Sequence, residues 1–292
     1  MRRIAAIGMF DGLHVGHRLL LDFLKTQAEI RGLEPAVVTF VDHPLALIAP
    51  ERKPCLLMSS EEKSRAIQEE AITSVIMLRF NDGIRNMSAR KFMEFLHDLH
   101  AIDCLVIGYD HRFGYGRNDS FDDYVTIGKE IGIDILRAPE YPGVSSSIVR
   151  ELLSGGRVAD AAQLLGRPYF IEGIVVSGKK LGRTIGFPTA NIRLLSDRVI
   201  VPGRGVYVAD ICIDGEECRR RAMLNIGHRP TVDAPDAADT IEVHVIGYSA
   251  DIYGHTMKVW FLDRLRSEQR FDSLESLRKQ LQDDRNAASA WK

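Results

Sequence analysis

The sequence predicts an α/β half followed by an all-β half: a parallel sheet with covering helices, then a small antiparallel β-barrel closed by a helix. Three observations predict it. Up to about residue 166, short apolar runs alternate with helix-period segments, the pattern of βαβ units. After Pro168, five strand-like runs follow one another with Gly, Pro and Asp turns and few helical patterns between them. The length, 292 residues at roughly 150 per domain, gives two domains.

Residues 4–7 (I-A-A-I) read as a buried strand, and residues 16–30 as a helix stopped by Gly32, which can take the left-handed conformation a helix end needs. Residues 36–41 are β-branched and strand-like. Ser59 and Glu62 stand at capping-box spacing, each able to satisfy the other's free end group, so a helix starts there. Ser88 can cap another, whose Phe92, Phe95, Leu96 and Leu99 recur at i, i+3, i+4 and i+7. Residues 104–107 and 133–136 suit parallel strands covered on both faces. Residues 158–165 look helical, and the domains are expected at 1–166 and 167–292. In the second half, strands are expected at 169–176, 206–213, 221–226, 240–246 and 257–262, with Asp214-Gly215 as a hairpin turn. Leu274, Leu277 and Leu281 mark the closing helix, capped by Asp272 or Ser273.

Composition excludes several classes. With 45% hydrophobic, 27% charged and 8% aromatic residues, the chain is neither disordered, collagen-like nor a small disulfide scaffold. Net charge is 38 − 40 = −2, so no global basic field exists for nucleic acid. No run approaches the eighteen or so apolar residues of a membrane span. Met1-Arg2-Arg3 before an apolar run has the look of a secretion signal, but Asp11 and His14 interrupt it early. Cys55, Cys104, Cys212 and Cys218 form no C-x-x-C pair, and a reduced, cytoplasmic setting fits them. No oligomeric state follows from the sequence.

Two regions carry the chemistry. Between the first strand and first helix stands G-M-F-D-G-L-H-V-G-H (residues 8–17), at the place where an open parallel sheet binds ligands beyond its strands' carboxyl ends. Gly16 permits close approach, and His14 and His17 beside a positive helix end can stabilise a phosphoryl group in transfer. The plainer readings are two surface histidines or one leg of a zinc site. Ser145, Ser146 and Ser147 open another helix with Arg150 one turn in, able to hold phosphate oxygens or merely to cap the helix. G-Y-D-H-R-F-G (residues 108–114) follows a third apolar strand, where Asp110 touches a nucleotide or forms an ordinary turn.

The second region runs from Gly173 to Asn191, where four glycines (Gly173, Gly178, Gly182, Gly186) with three cations (Lys179, Lys180, Arg183) make a phosphate-friendly loop without a Walker A pattern, or simply a hairpin with a basic loop. Pro188 stiffens the chain, and Thr189 and Asn191, two apart on an extended chain, face the same way as hard oxygen ligands suited to Mg²⁺. From Ser177 to Arg229 there are ten Lys/Arg against five Asp/Glu, a local excess of +5. Glu242 interrupts an apolar strand with His244 on the same face, a costly place for a carboxylate without work or a partner unless that face meets solvent. Asn225 begins a turn, N-I-G-H-R-P-T, that can line the same mouth.

Together the first set resembles the H-x-G-H nucleotidyltransferases, which have Rossmann-like domains. With T-F-V-D-H-P (residues 39–44) and S-S-S-I-V-R, it looks like the FMN adenylyltransferase module of bacterial bifunctional riboflavin kinase/FAD synthetases. G-R-T-I-G-F-P-T-A-N-I, G-V-Y, N-I-G-H-R-P-T, I-E-V-H and D-I-Y-G resemble the riboflavin kinase module of the same enzymes. The resemblance implies ATP-dependent phosphorylation of riboflavin to FMN, then adenylylation of FMN to FAD with release of pyrophosphate. It implies Mg²⁺ on Thr189 and Asn191, Glu242 as base for the ribityl hydroxyl, His14 and His17 on the charge of adenylyl transfer, and Ser146, Ser147 and Arg150 on the leaving phosphates. Gly8, Phe10, Asp11, Gly16, Asp110, Gly178, Gly182, Arg183 and Asn225 are expected to line nucleotide or phosphate sites. The implied partners are ATP, riboflavin, FMN and FAD, with neither nucleic acid nor membrane. Ser147, His111 and Ser177 depart from the family's commonest residues. Three other readings stand beside this one: a nucleotidyltransferase for another phosphorylated substrate, against which the P-T-A-N half argues; an aminoacyl-tRNA synthetase, against which the missing K-M-S-K-S-like segment argues; and a flavin-binding regulator with one inactive module.

Overall fold

In a computed structural model of the chain, the alternating first half folds into a five-stranded parallel sheet ordered β3-β2-β1-β4-β5. The structure describes residues 2–109, 111–177, 182, 185–216, 218–227 and 239–292. Two units form, Met1–Ser146 and Ser147–Lys292.

In the first unit, β1 (Arg3–Ile7) is central and pairs in parallel with β2 (Glu34–Phe40) and β4 (Ile102–Ile107). Its I-A-A-I run is buried on both faces: Ala5 and Ile7 enter one apolar cluster, Ile4 and Ala6 the other. Small residues here let helices approach both sides of the sheet. Helix α1 (Val15–Arg31) ends at Gly32, whose φ of +63° leaves its amide free to bond the Ala28 and Glu29 carbonyls. The short α2 (Leu45–Ile48) precedes α3 (Ser60–Glu69), whose capping box closes in both directions: Glu62 N–H to Ser59 Oγ at 3.1 Å and Ser59 N–H to Glu62 Oε2 at 2.7 Å. Edge strand β3 (Ser74–Leu78) was not expected, although its V-I-M-L run is as continuously apolar as those of the inner strands; at the sheet edge it is mostly half-buried. After α4 (Asp82–Arg85), Ser88 caps α5 (Ala89–His100) as expected, burying Phe92 and Leu96. Leu99, expected on the same stripe, is 70% exposed. Helix α6 (Phe121–Ile131) and β5 (Asp134–Arg137) complete the sheet.

Helix α7 (Ser146–Ser154) begins at the division, and α8 (Val158–Leu165) falls in the second unit, where it packs on β11 (Thr256–Arg266). The expected boundary at 166/167 comes after both helices. The six strands of this unit close a barrel in the order β10-β7-β6-β11-β8-β9. They are β6 (Phe170–Val176), β7 (Ala190–Leu194), β8 (Gly205–Ile213), β9 (Arg220–Gly227), β10 (Thr240–Val245) and β11. β7 is additional to the five expected strands. Asp214 and Gly215, with φ of +48° and +76°, form the tight turn that begins the β8–β9 connection, closed by the Glu216 N–H donating to the Ile213 carbonyl at 2.9 Å. Two register shifts in β11, between Phe261 and Asp263 and between Arg264 and Arg266, bend that long strand so that it can pair with β6 and β8. The closing helix α9 (Leu274–Ala290) is capped by Ser273, one of the two residues expected.

Candidate functional site

The first candidate site lies at the carboxyl end of β1. The strand order reverses direction between β1 and β4, so a crevice opens beyond those two strands, and both carry a predicted motif into it: residues 8–17 after β1 and 108–114 after β4. The loop after β1 is tightly wound, with φ of +50° at Phe10, +82° at Gly12 and +41° at Leu13. Two non-glycine residues in that region cost free energy, which the surroundings must offset. Phe10 does so by burying its ring fully in the core, so only its backbone can meet a ligand. Gly8 continues the sheet, its N–H donating to Val38 O at 3.1 Å.

His14 caps α1: its Nδ1 accepts the His17 N–H at 3.3 Å. In the neutral ring, an Nδ1 that accepts leaves the proton on Nε2, so the cap fixes His14 as an Nε2–H donor. The two rings stack, centroids 3.7 Å apart and 11° from parallel. Burial pushes His14 down to about 4 and holds His17 well below its usual value, with the His14 and Lys63 charges adding to the effect on His17. Two stacked neutral imidazoles at a helix N-terminus form a donor site without the repulsion of two cations. His17 Nδ1 is buried and, among the described residues, without a hydrogen-bond partner. A Cβ at Gly16 would stand 2.9 Å from Val144 Cγ1, so any larger residue would have to displace that side chain.

Asp11 is 2% exposed, and its Oδ1 accepts the Leu57 N–H at 2.9 Å, so its carboxylate braces the loop. Ser146 Oγ, at the end of the first unit, donates to the Asp11 carbonyl of the H-x-G-H loop at 2.8 Å. Ser147 and Arg150 lie in the first turns of α7. Asp110 lies outside the described residues. The loop around it is anchored by Tyr124, whose hydroxyl bonds both the N–H and carbonyl of Phe113 at 3.0 and 2.9 Å.

The second candidate site is a cavity of about 430 Å³ in the barrel unit. Pairing register builds its polar floor. Glu242 on β10 stands opposite Asn191 on β7 and opposite Asn225 on β9, so three polar side chains form a row across three neighbouring strands. Thr189 Oγ1 lies 3.4 Å from Glu242 Oε2. His244, on the same face two residues on, bonds the Pro188 carbonyl at 2.8 Å; because a carbonyl only accepts, Nδ1 carries the proton. Burial lowers the His244 pKa, and this bond fastens the P-T-A-N corner to β10. Gly182 shapes the rim: its carbonyl accepts the Phe187 N–H at 2.8 Å, and a Cβ there would collide with the Phe187 carbonyl. Gly178 and Arg183, and the N-I-G-H-R-P-T turn from residue 228 on, lie outside the described residues.

The rest of the lining was not anticipated. Phe271, Leu277 and Leu281 add apolar surface to it, and Arg266, Glu268 and Gln269 line it too. Arg266 grips Asp284 of α9 through Nη2 at 2.7 Å and Nε at 3.0 and 3.1 Å, with Gln280 adding a bond at 2.9 Å. Eighteen residues separate this pair, so no local spacing reveals it. A cavity lined by both apolar side chains and a row of oxygen and amide groups suits a planar ring with a polar tail. Thr189, Asn191 and Glu242 offer hard oxygens, the donor set that suits Mg²⁺ shared with a nucleotide's phosphates.

Known proteins bear on both sites. A family model described as FAD synthetase matches residues 1–150, and one described as riboflavin kinase matches residues 165–292. The bifunctional riboflavin kinase/FMN adenylyltransferase of Escherichia coli (strain K12) is 37% identical over 286 residues, covering 96% of this chain and 90% of its own. Those of Pseudomonas fluorescens and Bacillus subtilis (strain 168) are 37% and 32% identical, each covering 98% of this chain and 92% of its own. A crystal structure described as a macrolide-efflux protein from Streptococcus pneumoniae superimposes with a TM-score of 0.89 at 31% identity, covering 100% of this chain and 95% of that one. That description belongs to the other protein; among the described residues here, no helix is long and apolar enough to cross a membrane.

Proposed function

The chain belongs to the family of bifunctional riboflavin kinase/FMN adenylyltransferases, and we propose that it makes FMN in the barrel cavity and FAD at the carboxyl end of the parallel sheet. The observation that carries the kinase reading is the row Asn191–Glu242–Asn225 with Thr189 beside it in one cavity. Riboflavin's ring would lie against Phe271, Leu277 and Leu281, with its ribityl chain towards Glu242. Glu242 takes the proton of the 5′-hydroxyl as that oxygen bonds to the γ-phosphorus of ATP and ADP departs. Thr189 and Asn191 would hold Mg²⁺, which neutralises phosphate charge when bound. Positioning supplies most of the rate in such transfers, and it is the barrel register that positions these groups.

In the other module, an FMN phosphate oxygen attacks the α-phosphorus of ATP, and the bond to pyrophosphate breaks. His14, fixed as an Nε2–H donor, and His17 bind the charge that builds on the phosphoryl oxygens. Ser146, Ser147 and Arg150 hold the departing phosphates. Gly8, Gly16 and the backbone of Phe10 shape the loop, and Asp11 braces it. The activities are assigned to residues 1–166 and 167–292 of a cytoplasmic enzyme. Chromatography of a reaction containing riboflavin, ATP and Mg²⁺ tests the assignment: FMN should accumulate first and FAD follow. Absence of FMN refutes the kinase, and FMN without FAD refutes the adenylyltransferase.

A further inference from the structure

Lys63 is 4% exposed, an unusual place for an ammonium group, and nothing in the mechanism above uses it. It sits on the inward face of α3, one turn before the buried Ile67. Its Nζ donates to the Phe40 carbonyl at 2.6 Å and the Met9 carbonyl at 3.1 Å. Those carbonyls lie at the carboxyl ends of β2 and β1, neighbours in the sheet, at the point where their ladder stops. Met9 O takes a second bond from Thr39 Oγ1 at 3.0 Å. Leu57, six residues before Lys63, holds the Asp11 carboxylate, so the segment 57–63 grips the catalytic loop at two points.

We propose that Lys63 is a positioning residue for adenylyl transfer: its ammonium masks the negative ends of two carbonyls where a polyphosphate must approach, and it fixes the loop that carries His14 and His17. The proposal rests on the adenylyltransferase reading. Burying an ammonium is costly, whereas methionine would fill the same space without that cost, so the charge itself has a task here. The titratable groups that face it are Asp11 in the β1 loop, Asp42 after β2 and His17 on α1. Burial brings the Lys63 pKa down to about 8, against the pull of the two carboxylates, so the cation persists at neutral pH and is lost just above it.

The test uses the full-length enzyme with FMN and Mg-ATP, comparing wild type with Lys63→Met. We expect kcat for FAD formation to fall by about ten- to a hundredfold, as for a loop displaced by a fraction of an ångström to an ångström. FMN formation from riboflavin should be unchanged. Wild-type FAD formation should also decline above about pH 8, a limb absent from FMN formation, and in Lys63→Met the residual rate should be flat from pH 7 to 9. Because wild type alone reports that limb, an unfolded variant leaves the question decidable. Full FAD-forming activity in a folded Lys63→Met, or a wild-type rate that holds through about pH 9.5, overturns the proposal. Wild type that makes no FAD at all instead refutes the underlying adenylyltransferase reading.

Discussion

Replacing Glu242 by glutamine separates the two chemistries with the least disturbance to the fold. Glu242 lies in the middle of β10 between Asn191 and Asn225, and glutamine keeps its size and an oxygen within reach of Thr189 Oγ1, now 3.4 Å from the carboxylate. The residue is only half-buried and lines an open cavity, so the change should alter stability by no more than about 1 kcal/mol. The amide cannot accept the proton of the ribityl hydroxyl. A positioned general base contributes roughly 10²–10⁴ in rate. At 1.36 kcal/mol per factor of ten, the barrier to FMN formation should rise by about 3–5 kcal/mol. The assay is discontinuous chromatography of FMN from riboflavin, run beside FAD from supplied FMN, with a thermal melt to verify folding. FMN formation should fall at least a hundredfold while FAD formation stays within about twofold of wild type. More than a tenth of the kinase activity remaining would remove Glu242 from the role of base. Loss of both steps in a folded variant would refute separate sites.

Two further outcomes follow from buried ionisable groups. Asp284 is 4% exposed and holds Arg266 by three bonds; Asp284→Ala leaves that guanidinium half-stranded and should cost about 3–5 kcal/mol in urea unfolding, with a raised KM for riboflavin, because Arg266 and α9 form the cavity wall. An unchanged unfolding midpoint would show that the pair adds nothing to stability. In the first unit, His14 binds its proton near pH 4 when folded and near 6.5 when unfolded. Acid therefore favours the unfolded chain: the contribution of neutral His14 is whole above pH 6.5 and is lost as pH falls towards 4. It amounts to up to roughly 3 kcal/mol, and His17 acts in the same direction. Denaturant unfolding at pH 7.5 and pH 5 should show the loss, and His14→Asn should flatten it.

What the sequence made legible was whatever local spacing encodes. The capping box at Ser59, the stop at Gly32, the turn at Asp214-Gly215 and the cap at Ser273 depend on residues within four positions of one another, and each formed as expected. β7 is hard to see in sequence because its apolar residues alternate with Asn191 and Arg193 over only five positions, whereas the V-I-M-L run of β3 was legible and not expected as a strand. The same contrast divides the sites. H-x-G-H and P-T-A-N announce themselves as contiguous motifs, and the two-residue alternation of Thr189 and Asn191 does place both on one cavity. Sequence alone could not bring Glu242 opposite Asn191 and Asn225, because that depends on the register of three strands drawn from residues 190 to 245.

Lys63 and Arg266 were hidden for a different reason. A lysine on a helix and an arginine near a strand end are read as solvated charges unless something marks their side as inward. For Lys63 that mark exists: it shares a helical face with Ile67, so the stripe that predicts the core also predicts a buried ammonium. A charge on an apolar stripe must have partners, and backbone carbonyls at strand ends are the acceptors a parallel sheet always has to spare. For Arg266 no such stripe exists, and its partner Asp284 lies on a helix whose polar and apolar faces are weakly separated. Buried cations of the first kind can therefore be sought by helical periodicity alone, whereas those of the second kind emerge only once the barrel has closed and the helix has been laid against it.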